Sequence, residues 1–110
     1  MRLEGLLAGV TDWSSIPQTT QSGASGTTSA RARRFGDIQL RLVSYSPGYV
    51  ADHWCHKGHI VFVVDGRLAI EHEDGRRYEL RPGMSYHVAD KDGAPHRVVT
   101  EHGASLFIVD

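Results

Sequence analysis

Between Asp52 and His59 the chain reads DHWCHKGH, which packs three histidines, the only cysteine and a leading aspartate into eight positions. Imidazole and thiolate are borderline-soft donors, so this set suits zinc, iron(II), nickel or copper better than magnesium or calcium. The same residue types also serve a thiol nucleophile beside its base, or a polar loop that happens to be rich in histidine. Spacing begins to separate these readings. On an extended strand His53 and Cys55 share one face, and Asp52 and Trp54 share the other. His59 cannot join the first pair on a straight strand, because six residues span about 20 Å at roughly 3.3 Å each. The chain can turn at Lys57-Gly58, where glycine accepts unusual backbone angles. That bend would carry His59 back beside His53 and Cys55 as the next strand begins. A fourth ligand must come from elsewhere, and His96 in APHRV, opening a predicted strand after a Gly/Pro loop, is the nearest candidate.

The remaining residues of interest have plainer expectations. A catalytic Cys55 with His53 or His59 as base would need a third group to orient the base and donors for an oxyanion, and the sequence identifies neither. A single cysteine without a C-x-x-C pair argues against a structural zinc finger. Asp52 and Trp54 are expected to point away from His53, as an aspartate satisfying backbone donors and a core tryptophan. His56 has the wrong parity for the site and is expected to be exposed. His72 and His102 lie in or beside turns and are expected to be solvated. For Tyr45, Tyr86 and His87, core or surface placement is expected ahead of a substrate-facing role.

Strands must position these groups. FGDIQLRLVSY alternates Ile38, Leu40 and Leu42 with Gln39 and Arg41, the period of a half-buried strand. HIVFVV-DG-RLAIEH reads as a hairpin, because Asp-Gly supplies the positive φ angles of a type I′ turn. Further turns are expected at Glu73–Gly75, Arg81–Gly83 and Glu101–Gly103, with a loop over Asp90–Pro95 and a closing strand in ASLFIVD. No window carries a helical stripe. Short strands separated by Gly, Pro and Asp turns predict an all-β sandwich or barrel. The first third differs. Pro17 to Ala30 is small and polar, and reads as a mobile surface loop, with a flap over a binding site as the sharper alternative. Arg31–Arg34 reads as a solvated strand end.

At 110 residues the chain fits one domain. It divides into an N-terminal extension with the polar loop over residues 1–34 and a barrel over 35–110. A net charge of −1 provides no broad basic surface, which disfavours nucleic acid as a partner. One cysteine forms no intrachain disulfide, which fits a reducing compartment. The N-terminus carries Glu4 and Asp12 and makes a poor signal peptide. The longest apolar run, Ile60 to Val64, is far short of the roughly 20 residues of a membrane helix. A cytoplasmic protein with no membrane partner is expected.

GYVADHWCHKGHIVFVVDG, Gly48 to Gly66, resembles the first motif of the cupin superfamily, in which a glycine precedes a His-x-His pair, a glutamate and a second glycine. His53 matches the first histidine, Cys55 replaces the second, and His59 stands at the glutamate position. LRPGMSYHVADKDGAPHRVV, Leu80 to Val99, resembles the second motif, with His96 at its metal-binding histidine, Ala89 where a proline is common and Thr100 near the usual asparagine. The resemblance covers roughly two-thirds of the chain. More narrowly, ADHWC and GH resemble a group of small bacterial cupins known by their Asp, His, Cys and Trp residues, a group with no assigned activity. The resemblance implies a double-stranded β-helix, or jelly-roll barrel, with a divalent metal (zinc, iron or nickel) on His53, Cys55, His59 and His96. It also implies either an enzyme of dioxygenase, isomerase or lyase type acting on a small polar molecule, or a non-catalytic module that binds a small ligand or metal. Exposed sheet edges in so small a barrel suggest a homodimer.

Overall fold

The computed structural model of the chain describes residues 3–91 and 93–110. Met1 and Arg2 of the N-terminus, and Asp92 within the expected Asp90–Pro95 loop, lie outside it. After a single 3₁₀ turn at Trp13–Ser15 come β1 (Thr19–Ser22), β2 (Thr27–Phe35), β3 (Ile38–Tyr45), β4 (Tyr49–Val50) and β5 (His59–Gly66). β6 (Leu68–His72), β7 (Arg77–Leu80), β8 (Ser85–Val88), β9 (His96–Thr100) and β10 (Ala104–Val109) follow. They form two antiparallel sheets. One has the order β1-β2-β3-β10-β5-β8 and the other β4-β9-β6-β7. This is an all-β barrel, as the turn rhythm predicts, in the jelly-roll form that the resemblance implies. Among the described residues no helix is long and apolar enough to cross a membrane.

Period-2 alternation builds the core. Val61 and Val63 of β5, Ile70 of β6 and Leu106 and Ile108 of β10 point inward and are 4% exposed or less. Their intervening neighbours on β5, Ile60, Phe62 and Val64, face outward and stay about half exposed. Burying each large aliphatic side chain contributes roughly 1.5–3 kcal/mol.

Five expectations change. The Asp65-Gly66 turn is not a hairpin: β5 belongs to the large sheet and β6 to the small one, so the chain crosses the sandwich there. Gly66 takes φ +76°, and a Cβ on it would collide with the Gly103 carbonyl oxygen at the crossing between β9 and β10. The two crossings pack backbone to backbone, which local turn chemistry does not reveal.

On β3 the period is as expected and Ile38 is buried, but further along the strand the inward face is that of Arg41 and Val43. Val43 is buried in the core and Arg41 lines the interior. Leu40 instead meets Trp13 and Phe107 under the N-terminal segment. Trp13 stands edge-on to Phe107, 6.2 Å between ring centres. That segment gives the outer face an apolar cover, so both faces of β3 accept apolar side chains.

The polar stretch from Pro17 to Ala30 is a hairpin rather than a mobile loop. β1 pairs with β2 from Thr19↔Ala30 to Ser22↔Thr27, and β2 pairs along its length with β3. Ala24 N–H donates to the Val50 carbonyl at 2.8 Å, tying the hairpin tip to the small sheet. Within Arg31–Arg34, Arg31 is not a solvated strand end. Its guanidinium donates to the carbonyls of Trp13 (3.1 Å) and Ile16 (2.5 Å).

His72 is the fifth correction. It is 5% exposed, because Leu68, Ile70 and His72 share the inward parity of β6.

Candidate metal centre

Cys55, His59 and His96 come together at one end of the barrel interior, with their donor atoms all within 4.8 Å of one another. Each is placed by a different device. His96 opens β9 with inward parity and is 4% exposed. Cys55 lies opposite it in an isolated antiparallel bridge, with Cys55 N–H donating to the His96 carbonyl at 2.7 Å and the reverse bond at 3.0 Å. His59 follows the expected bend at Lys57-Gly58 and opens β5 on the same inward face as Val61 and Val63. Gly58 serves that bend by close approach: a Cβ would collide with Val88 O, Ala89 C and Asp90 N. Its own N–H donates to Asp90 Oδ1 at 2.7 Å.

The hydrogen bonds decide which ring nitrogens face inward. His59 Nδ1 lies 3.0 Å from Asp110 Oδ2, and an ionised carboxylate only accepts, so Nδ1 carries the proton. His96 Nδ1 donates to the Ala94 carbonyl at 3.1 Å. In the neutral rings both Nε2 atoms are then acceptors, yet they lie 2.9 Å apart, with Cys55 Sγ 3.5 Å from His59 Nε2. Two lone pairs at that distance repel unless a cation, proton or metal, lies between them. Tetrahedral zinc with bonds of about 2.0–2.3 Å sets its donors roughly 3.3–3.6 Å apart, so the sulfur–nitrogen spacing fits and the two nitrogens are slightly close.

Electrostatics agree with this arrangement. Hydrogen bonds with His59 and His96 hold the Cys55 thiol at a pKa of about 5 against the opposing effect of burial, helped by the Lys57 N–H at 3.4 Å. The same partnership raises the His96 pKa. Burial pushes Asp110 upward, but His59, Arg41 and Lys57 outweigh it and the carboxyl stays below its usual range. Arg41 Nη2 donates to Asp110 Oδ2 at 2.7 Å, and Lys57 Nζ stands 3.7 Å from Oδ1.

His53 lines the same cavity but stays outside the donor group. Its side chain is 77% exposed, and Nδ1 lies 2.6 Å from Asp52 Oδ1. Residues 52–54 form no strand, so strict alternation does not apply and Asp52 turns toward His53 rather than away. Trp54 is half-buried, not core. The Arg97 guanidinium lies over its ring at 4.6 Å and also reaches Glu71 at 3.1 Å. His56, His87 and His102 are exposed. Tyr45 and Tyr86 both line the cavity, and burial raises both pKa values, that of Tyr86 to about 12. Tyr86 Oη and His72 Nε2 lie 2.8 Å apart in the core.

Three further residues stand around this centre: Arg41 and Asp110, with no role expected from the sequence, and His72, expected to be solvated. The signal for each is parity. Asp110 continues Leu106 and Ile108, Arg41 precedes Val43 by two, and His72 follows Ile70 by two.

Comparison with known proteins agrees with this architecture. The polyketide cyclase RemF from Streptomyces resistomycificus is similar over 94% of this chain and 78% of its own, at 18% identity and TM-score 0.76. Ectoine synthase from P. lautus matches over 93% and 76%, at 16% identity and TM-score 0.73. A sugar phosphate isomerase of the cupin superfamily from Silicibacter pomeroyi matches over 92% and 74%, at 18% identity and TM-score 0.71. At such identities the likeness concerns the fold alone. No curated protein matches the sequence. Residues 41–110 match the family described as Cupin domain, and that stretch contains Cys55, His59 and His96, so the chain belongs to the cupin family.

Proposed function

We propose that this chain is a metal-dependent cupin enzyme that acts on a small polar molecule in the barrel interior. Cys55, His59 and His96 would hold a divalent transition metal: zinc, iron(II) or nickel. The observation that carries this is the convergence of the two Nε2 atoms, 2.9 Å apart, beside the Cys55 sulfur. A bound ion supplies Lewis acidity, and three protein donors leave a position for substrate or water. Asp110 fixes the tautomer of His59, Ala94 fixes that of His96, and the Trp54–Arg97–Glu71 contact steadies the segment carrying Cys55. The structural neighbours include an isomerase, a synthase and a cyclase, which supports an enzymatic reading without selecting a reaction.

The test is elemental analysis of protein purified without chelator or affinity-tag metal, with zinc, iron and nickel loading in parallel. The expected result is one metal per chain. Absence of metal under every loading condition would overturn the proposal.

A thiol nucleophile is the second reading, because Asp110 supplies the group orienting His59 that such a mechanism requires. It predicts a covalent Cys55 adduct with substrate in metal-free protein, visible by mass spectrometry. We further propose a homodimer in solution, supported by the three outward apolar side chains Ile60, Phe62 and Val64 on β5.

A further inference from the structure

Arg41 is the interior group that the metal centre does not use. It sits on the inward face of β3, paired across the sheet with Ile108, and lines the same cavity as Cys55, His59 and His96. One terminal nitrogen is spent on Asp110. Its Nε–H is buried and has no hydrogen-bond partner among the described residues, and neither has Asp110 Oδ1, which Lys57 Nζ approaches to 3.7 Å. A buried donor on a charged group left unpaired is costly, more so than a neutral one. The guanidinium fork is built to meet planar oxyanions through adjacent N–H groups.

With a metal bound, the local charge count points the same way. Arg41 and Lys57 bring two positive charges against the negative charges of Asp110 and the Cys55 thiolate, a balance in metal-free protein. A divalent ion on the thiolate would leave the centre net positive. The cavity is small, about 170 Å³, or roughly five to six waters at about 30 Å³ each. Arg41 and His59 share the same carboxylate oxygen, Asp110 Oδ2, at 2.7 and 3.0 Å. A ligand reaching from the guanidinium to the metal-binding end therefore needs only a few atoms.

We infer that the barrel interior takes a small carboxylate, with Arg41 holding the carboxylate group. The inference deepens the proposed function by naming a substrate class, but its Arg41 contact does not require the ion.

The test is an NMR titration of metal-free and zinc-loaded protein with pyruvate and with its uncharged amide. The expected result is saturable pyruvate shifts in β3 and around Cys55–His59, with the amide binding about tenfold or more weakly. Arg41→Met and Arg41→Lys should each weaken pyruvate binding about tenfold, the lysine variant because it keeps the charge and loses the fork. Equal binding of pyruvate and its amide would overturn the inference. So would unchanged binding in both well-dispersed variants, or no saturable shift with pyruvate, acetate or glycolate. If a variant fails to fold, the comparison of acid and amide on the wild type decides alone. Failure of the metal reading appears separately, as zinc that does not bind, while Arg41-dependent binding to metal-free protein is still measured.

Discussion

Asp110 Oδ2 lies 3.0 Å from His59 Nδ1, and the Asp110 side chain is 1% exposed. His59 stands at the position that resembles the glutamate of the cupin motif, and the Asp110 carboxylate contacts its outer ring nitrogen. Such an outer carboxylate fixes the ring orientation and raises the basicity of the other nitrogen. Asp110→Asn keeps the shape and an acceptor but removes the charge. Zinc affinity should fall about 10–100-fold with the fold intact, measured by competition with a chromophoric chelator. An unchanged affinity would reduce Asp110 to an ion-pair partner of Arg41.

The ligand set makes a pattern prediction. Cys55→Ser, His59→Ala and His96→Ala should each lose stoichiometric metal, because each removes one of three converging donors. His53→Ala should retain it, since His53 turns to Asp52 outside the group. Metal content of the four purified variants decides. Loss in His53→Ala would bring His53 into the coordination shell.

Cys55 should show an unusual pH profile in metal-free protein. With its pKa lowered to about 5, the thiol is mostly ionised above that value. Iodoacetamide alkylation should therefore be nearly independent of pH from about 6.5 to 9, where an ordinary thiol with a pKa of about 8.5 speeds up. The rate should fall as pH drops through about 5, and zinc should suppress it at neutral pH. A rate still climbing between pH 7 and 9 would contradict the assignment.

Gly66 and Gly36 give a matched pair for the fold. Both have positive φ, +76° and +62°, but only Gly66 faces the Gly103 carbonyl, while nothing stands near Gly36. Gly36→Ala should cost about 1–2 kcal/mol from backbone strain alone. Gly66→Ala adds the collision and should cost more, shifting Tm further by roughly 4–8 °C per additional kcal/mol. Equal thermal shifts would mean the sheet crossing relaxes freely.

The dimer proposal is checked by light scattering on Phe62→Lys. Phe62 is 45% exposed on the outer face, so the change should leave the fold intact and give a monomer. A monomeric wild type would remove the proposal.

Alternation along single strands was legible from the sequence because side-chain direction in a strand is a local, period-2 property. The Lys57-Gly58 bend, with a strand opening at His59, was legible too, from glycine's backbone freedom. The cupin motifs added His96 and the barrel. What remained hidden depends on contacts between distant segments. Whether Asp65-Gly66 closes a hairpin or crosses the sandwich depends on Gly103, far along the chain. Which face of β3 turns inward depends on Trp13 and Phe107 covering the other. His53 left the donor group because residues 52–54 are held by Arg97 and Asp52 rather than by a strand partner. The inward placement of Arg41 and Asp110 is a matter of parity, but only the packed sheets bring the carboxylate to His59 and Arg41 together. The sequence by itself therefore determined the residue types, their periods and the family pattern. Tertiary structure decided which of them meet, because convergence is set by sheet packing and not by spacing along the chain.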